Sequence, residues 1–507
     1  MSQVFKNPHK SDNNWLIIFS LALTARLALN FLFFFRFGIH AAAEKEIWYY
    51  YGIVNNTFHI SRLDPTFWIF QLIKSAPAEF WFYGVTLAGV LLSSLTAVLI
   101  YFLGAKLFND RRAGFFAGAI YAFLPGPLGM STANFTHDLV QLPIIVLIFL
   151  LTLSIADSNG LKKITRAIFF IILTYLGIQV GPLIVFAVFV SVFYLLIKAI
   201  KEDKKTTVFC FIILLALFIK TVFLNDILKI LSSIDSQMHS GNLMALIKAG
   251  SRDLMPIDFQ GLVYRMGTWS ILAVIGLVFS LRKQEFLSLM IFFLGVIFAF
   301  GISRVVRIAD MGCALMAAYA FNYIWLKKKA LVVIFICGIF SMLFCYNNLK
   351  PACAEAEYQS FLWLKNHSQK GDKVLVAWED GYVLEAISKL EPSSTPRNID
   401  FPLHQIYWKT IDEAYQVLKD NHISFVEISS SYFGVSYIDA FTDRFDYGGN
   451  GSIVYRPEQM GITKFSQLKT TFLFKLMDDP EASQNFKLVF EIRDNFTPTQ
   501  VRIYRVL

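Results

Sequence analysis

The sequence predicts a multi-pass α-helical membrane protein of about eleven to thirteen spans, followed by a C-terminal mixed α/β domain on the non-cytoplasmic side. Three observations predict it. The 507 residues are 56% hydrophobic, with a mean hydropathy of +0.53, above the ~45–50% apolar content of soluble chains. Fifty-one Phe residues gather with Leu and Ile in blocks of roughly 15–20 residues, the length that crosses hydrocarbon at about 1.5 Å per residue. After residue 353 the composition changes abruptly to ordinary globular usage.

The spans are expected near 14–35, 80–103, 112–127, 139–155, 167–183, 184–198, 207–225, 268–281, 285–300, 309–326 and 330–346. The N-terminal stretch MSQVFKNPHKSDNNW has no cleavage pattern, so the first block reads as a retained anchor. With a cytoplasmic N-terminus, the inner gaps hold Lys106, Arg111 and Arg112; Lys162, Lys163 and Arg166; Lys201, Lys204 and Lys205; Arg282 and Lys283; and Lys327, Lys328 and Lys329. Every inner gap is then basic, as the positive-inside rule requires. An odd count of spans puts everything after 346 outside. The domain division is therefore 1–346, with outer loops 36–79 and 226–267, and 347–507.

The net charge of +9 fits loop topology and anionic headgroups, and excludes nucleic acid as the expected partner. Five Cys residues, several inside apolar blocks, form no disulfide framework. In the C-terminal domain, AEAEYQSFLWLKNH reads as a helix, DKVLVAW as a strand leading into a loop, and TIDEAYQVLKDNH as a helix opened by a Thr410/Glu413 capping box. HISFVEIS is a strand, and FKLVFEIRDNFTPTQVRIYRVL reads as a hairpin. Strands interleaved with helices make an α/β domain.

Four places carry candidate chemistry. Glu44 and Glu46 follow the first span in HAAAEKEIWYYYG, where two carboxylates at i and i+2 suit a divalent cation or proton transfer; the competing reading is an interfacial aromatic belt. His137 and Asp138 stand in the outer turn STANFTHD, as metal or acid/base types or, alternatively, with Thr136 or Asp138 as a helix cap. Arg304 and Arg307 in SRVVRIAD share a helical face at the outer start of the tenth span, suited to a phosphate or carboxylate; snorkelling or pairing with Asp310 competes. Trp378, Glu379 and Asp380 lie in the WEDGY loop beyond a strand, a usual place for recognition.

These stretches together resemble the membrane-embedded glycosyltransferases of the GT-C superfamily that use polyprenyl-phosphate-linked sugars. The resemblance is strongest to the catalytic subunit of oligosaccharyltransferase and its single-subunit bacterial and archaeal relatives. Glu46 in HAAAEKEIWYYY takes the place of the family's acidic residue in the first outer loop, and RLDPTFW is similar to its later Asp-Pro stretch. Phe135, Thr136, His137 and Asp138 match a Phe-Asp-Asn-Glu-like turn, and Val306, Arg307 and Ile308 match the membrane arginine. AWEDG resembles the Trp-Trp-Asp-Tyr-Gly motif, which in the family receives the hydroxyl residue of an Asn-x-Ser/Thr acceptor. Here Ala377, Trp378, Glu379, Asp380 and Gly381 occupy its positions. Two departures stand out: the altered Trp-Trp-Asp, and the absence of any Glu from 226–267, where Asp226, Asp235, Asp253 and Asp258 are the only carboxylates.

The resemblance implies transfer of a sugar or oligosaccharide from a polyprenyl (di)phosphate to a protein. A tryptophan C-mannosyltransferase-like or other lipid-linked sugar transfer to glycan or lipid stays open, as does a transporter or non-catalytic membrane protein. It implies Glu46, Asp138 and Glu44 as catalytic residues, and Arg307 and Arg304 as ligands of the donor phosphate. Trp378, Glu379 and Asp380 fall at the acceptor. Glu46, Asp138 and His137 hold Mg2+ or Mn2+ if a metal is used at all.

Overall fold

In the computed structural model of the chain, residues 13–202, 257–395, 403–447 and 457–507 are described apart from short gaps within them, Glu44 and 301–302 among these. The expected span at 207–225, and nearly all of the second outer loop, lie outside the described residues. The chain divides into two units. One holds 1–31, 61–72 and 86–349; the other holds 32–60, 73–85 and 350–507. Much of the first outer loop thus belongs with the C-terminal residues.

The helices of the first two-thirds are α1 (Asn14–Phe37), α2 (Glu46–Val54), α3 (Thr66–Lys74), α4 (Trp81–Leu107), α5 (Arg111–Phe123), α6 (Pro125–Met130), α7 (His137–Ala156), α8 (Gly160–Val180) and α9 (Leu183–Glu202). After the undescribed stretch come α10 (Phe259–Met266), α11 (Trp269–Lys283), α12 (Phe286–Ala299), α13 (Val306–Ile324) and α14 (Lys327–Asn348). Among the described residues, four helices are long and apolar enough to cross a membrane: Asn14–Phe37, Ala78–Leu107, His137–Ala156 and Gly160–Val180. A fifth counts if Phe259–Met266 and Trp269–Leu281, bent by 94°, form one broken span. Shorter apolar helices cover Leu183–Lys198, Phe286–Ala299 and Val332–Asn348.

Two departures from the expected boundaries have local causes. The block at 112–127 breaks after Phe123, where Leu124 is extended (φ −62°, ψ 131°), because the following Pro125 disfavours the helical conformation of the residue before it. The chain restarts as α6 with that proline in its first turn. Residues 259–266, read as outer loop, are helical.

The first unit is organised on α13. Val306 and every residue from Ile308 to Phe321 are buried, the mark of a helix enclosed on all sides. Glycines let its neighbours close in: a Cβ on Gly276 of α11 would lie 1.8 Å from the Met316 carbonyl oxygen, and one on Gly295 of α12 would lie 2.8 Å from the Ala309 nitrogen. Such small-residue contacts pack helices where lipid removes the hydrophobic drive to associate. Large apolar side chains stay exposed on other faces, Phe169 at 60% and Ile271 at 66%, as lipid contact requires.

In the second unit a five-stranded sheet runs β2 (Glu391–Pro392), β1 (Lys373–Leu375), β3 (Ile423–Ser429), β7 (Gln500–Val506) and β6 (Phe486–Arg493). β2, β1 and β3 are parallel; β7 is antiparallel to both β3 and β6. β6 and β7 form the hairpin read from their alternation. β4 (Val435–Asp439) and β5 (Arg444–Tyr447) pair separately. Helices α15 (Glu355–His367), α16 (Gly381–Ser388) and α17 (Ile411–Asp420) accompany the sheet. The backbone and hydroxyl of Thr410 donate to Glu413 at 3.1 and 2.8 Å, as the capping box predicts.

Candidate functional site

Asp138 lies in the first turn of α7, 1% exposed. Thr136 stands at the cap position, but its side chain makes no capping bond. The Asp138 carboxylate is turned instead to partners outside its own turn. Its Oδ2 meets Arg307 Nη1 and lies 3.6 Å from Arg304 Nε. Its Oδ1 accepts from Gln141 Nε2 at 2.9 Å and lies 3.4 Å from His137 Nε2. Gln141 in turn accepts from the Leu183 backbone N–H at 2.9 Å, which ties α7 to the start of α9.

The two arginines reach this point from a 3-10 turn, Ser303–Val305, and from the first turn of α13. Their side chains are 20% and 13% exposed. Asp310 forms its ion pair with Arg265 of α10 at 2.8 Å, with Arg307 also near enough to act on its charge. Asp64 caps α3, accepting from the Thr66 N–H and hydroxyl at 2.8 and 2.7 Å. Burial pushes its carboxyl upward, against those bonds and the pull of nearby His137. Sequence reasoning missed Gln141; its signal was a polar side chain one turn beyond Asp138 in an otherwise apolar helix.

The donor set decides what this cluster suits. Both Asp138 oxygens already face donors. A divalent cation at Asp138 would have to displace an arginine. Among the described residues no group of three or more His, Cys, Asp or Glu side chains is placed to hold a metal ion. The described side chains around Asp138, two guanidiniums, an amide and an imidazole, suit an oxyanion such as phosphate.

Glu46 lies in the second unit. It opens α2 and accepts from the Tyr50 hydroxyl, one turn on, at 3.3 Å; Glu44 lies outside the described residues. Trp48, Tyr49 and Tyr50 are buried at 1%, 6% and 4%, so the aromatic run is core and not an interfacial belt. Trp48 stacks on Tyr358, and Tyr358 on His40, at 5.6 and 4.0 Å between ring centroids.

The WEDG turn divides in two. Trp378 and Glu379 are half-buried. Asp380 is fully buried and turned inward to Lys45, its Oδ1 2.5 Å from the ammonium. Burial raises the Asp380 carboxyl to about 7 against the pull of Lys45. On Lys45, burial alone would lower the pKa; Asp380, Glu357 and Glu379 reverse that and hold the ammonium charged. Lys45 was not foreseen, although a lysine between two glutamates was visible. Two further buried carboxylates are near. Glu357 accepts from Ser429 and Ser431 at 3.0 and 2.8 Å, and Glu427 from Tyr432.

Comparison with known proteins adds two findings. Residues 66–224 match the family model of dolichyl-phosphate-mannose-protein mannosyltransferases. The fold matches the oligosaccharyltransferase AglB of Archaeoglobus fulgidus, solved with an inhibitory peptide and a dolichol-phosphate, at TM-score 0.65 and 12% identity, over 94% of this chain and 79% of that one. The oligosaccharyltransferase from that organism tethered to an acceptor peptide with an NVT sequon matches at TM-score 0.63 and 13% identity, over 95% and 80% of the two chains. Its complex with zinc and sulfate matches at 0.60 and 14%, over 94% and 78%. No curated protein matches by sequence. The family match indicates a glycosyltransferase, and the shared fold agrees with the resemblance read from the sequence.

Proposed function

We propose that this chain transfers a sugar or oligosaccharide from a polyprenyl phosphate or diphosphate to a protein acceptor, and that Arg304 and Arg307 hold the phosphate of that donor. The observation that carries the proposal is the convergence of two guanidiniums on the buried carboxylate of Asp138. The phosphate-linked lipid and acceptor peptide bound by the archaeal proteins of this fold support the substrate classes. The basic inner gaps support a cytoplasmic N-terminus and an extracytoplasmic C-terminal domain.

In this reading the bond between the sugar C1 and the phosphate oxygen breaks, and negative charge builds on the departing phosphate. Arg304 and Arg307 offset that charge with donors already in position, so little reorganisation opposes the step. Asp138, held by Gln141 and through it by the Leu183 N–H, orients the guanidiniums. Glu46 is the general base that takes the acceptor proton. Trp378 and Glu379 are the acceptor-side groups of the WEDG turn. No step runs through a metal ion.

The test is donor-lipid capture. Purified protein should bind dolichyl phosphate in detergent, and the double variant Arg304→Met/Arg307→Met should not. Equal binding by the two would end the phosphate assignment.

A further inference from the structure

The second unit joins the turn that carries Glu46 to the WEDG turn through an internal ion pair. Lys45 immediately precedes α2; its side chain is 9% exposed and its ammonium lies 2.5 Å from Asp380, which is fully buried. The contact is one of three along α2. One turn on, the rings of Tyr49 and Tyr382 approach to 5.0 Å. Beyond the helix end, Asn55 Nδ2 donates to the Ala386 carbonyl at 2.8 Å. Lys45 and Tyr49, four apart, share the face turned to α16. Glu46 then falls about 100° round the helix, half-buried beside Tyr50.

The WEDG side is equally constrained. A Cβ on Gly381 would lie 2.0 Å from the Ser394 carbonyl oxygen, so the turn presses on residues 394–395 in a way only glycine permits. The Asp380 carboxylate faces the interior with Lys45, Glu357 and Glu427 around it. A buried side chain so committed does not reach an acceptor.

We infer that Asp380 and Lys45 are positioning residues: the WEDG turn acts through Asp380 as a clamp on the start of α2, setting the rotation of the turn that carries Glu46. The inference rests on the proposed role of Glu46, and it moves Asp380 from the acceptor to the scaffold. Because stranding either charge in the interior is severe, the test pairs single variants with a neutral double.

The full chain in detergent is compared as wild type, Lys45→Met, Asp380→Asn, and Lys45→Gln/Asp380→Asn, which strands no charge. Hydrogen exchange is read at residues 46–54 and in β3. Turnover is read with dolichyl phosphate mannose and a dolichyl diphosphate oligosaccharide as donors. The clamp predicts at least tenfold faster exchange in α2 for every variant, with β3 in the double variant unchanged. It also predicts kcat at least tenfold lower with the KM for donor within threefold. Unchanged α2 exchange overturns it, as does equal loss of protection in α2 and β3 in the double variant, since the pair would then be a general core contact. If Glu46→Gln retains full turnover, the role of Glu46 falls on its own, and the exchange data alone decide the clamp. If Glu46→Gln is inactive while the double variant turns over normally, Glu46 stands and the clamp is wrong.

Discussion

Replacing Arg307 with Met tests the phosphate site with a side chain of similar reach and no charge. Two unit charges about 4 Å apart interact by about 4 kcal/mol at an effective dielectric near 20, and hydrogen bonds to charged groups are worth about 1.5–3 kcal/mol net. Arg307 is 13% exposed, so the full reduction to about 0–1 kcal/mol seen for surface pairs does not apply. A loss of about 3 kcal/mol is expected, or roughly a hundredfold in the Kd for dolichyl phosphate at about 1.4 kcal/mol per decade. Asp138→Asn makes the opposing case. It removes the carboxylate that competes for both guanidiniums, so phosphate affinity should hold or rise even where turnover falls through lost orientation. Titration of the detergent-solubilised protein with the lipid, followed by native mass spectrometry, reads both variants. Arg307→Met within threefold of wild type, or Asp138→Asn losing as much as Arg307→Met, would refute the reasoning; the second result would show that the phosphate is held through Asp138 as a cation ligand does.

Three other expectations follow from the geometry. Exhaustive chelation should leave donor binding and transfer intact, because both Asp138 oxygens are already engaged by side-chain donors; loss of transfer on chelation with recovery on adding Mg2+ would restore a metal to the site. Burial, then Asp380 and Glu357, push the Glu427 carboxyl well above its usual range, against Tyr432 and Lys45. With the folded pKa raised, the stabilisation is complete below the unfolded value near 4.3 and is lost as pH rises toward the folded one. Protection of β3 amides, corrected for intrinsic exchange, should therefore fall as pH rises above the unfolded value, and Glu427→Gln should flatten that slope. Gly276→Ala would place a methyl against the Met316 carbonyl and should cost about 3 kcal/mol, seen as a lower thermal midpoint in detergent; an unchanged midpoint would mean that α11 and α13 pack less closely.

What was legible in the sequence was what periodicity and charge write locally. Apolar blocks marked the long helices, and alternation marked β6 and β7. The position of Arg304 and Arg307 against the charge bias of their loop flagged them as needing a partner. That partner was less legible: Asp310, three residues away, was the near alternative to snorkelling, yet the structure turns Asp310 to Arg265 and gives the arginines Asp138. Sequence spacing orders contacts within a helix and carries little about which helices meet. The same limit hid Lys45, whose partner Asp380 lies far along the chain. Reading the aromatic run after Glu46 as an interfacial belt went astray for a related reason: Trp and Tyr suit a membrane interface and an aromatic core equally well, and burial decides between them. The break after Phe123 was written in Pro125, although hydropathy alone runs through it.

The central claim is that this chain releases a polyprenyl phosphate from a sugar while two arginines hold the departing group. The most direct measurement incubates the purified full chain with dolichyl phosphate mannose or a dolichyl diphosphate oligosaccharide and a mixed peptide acceptor, and follows the free lipid phosphate or lipid diphosphate, respectively, by chromatography. The account predicts release by wild type with either donor class, and at least a tenfold slower release by Arg307→Met and by Glu46→Gln. Release by both variants at the wild-type rate would contradict it.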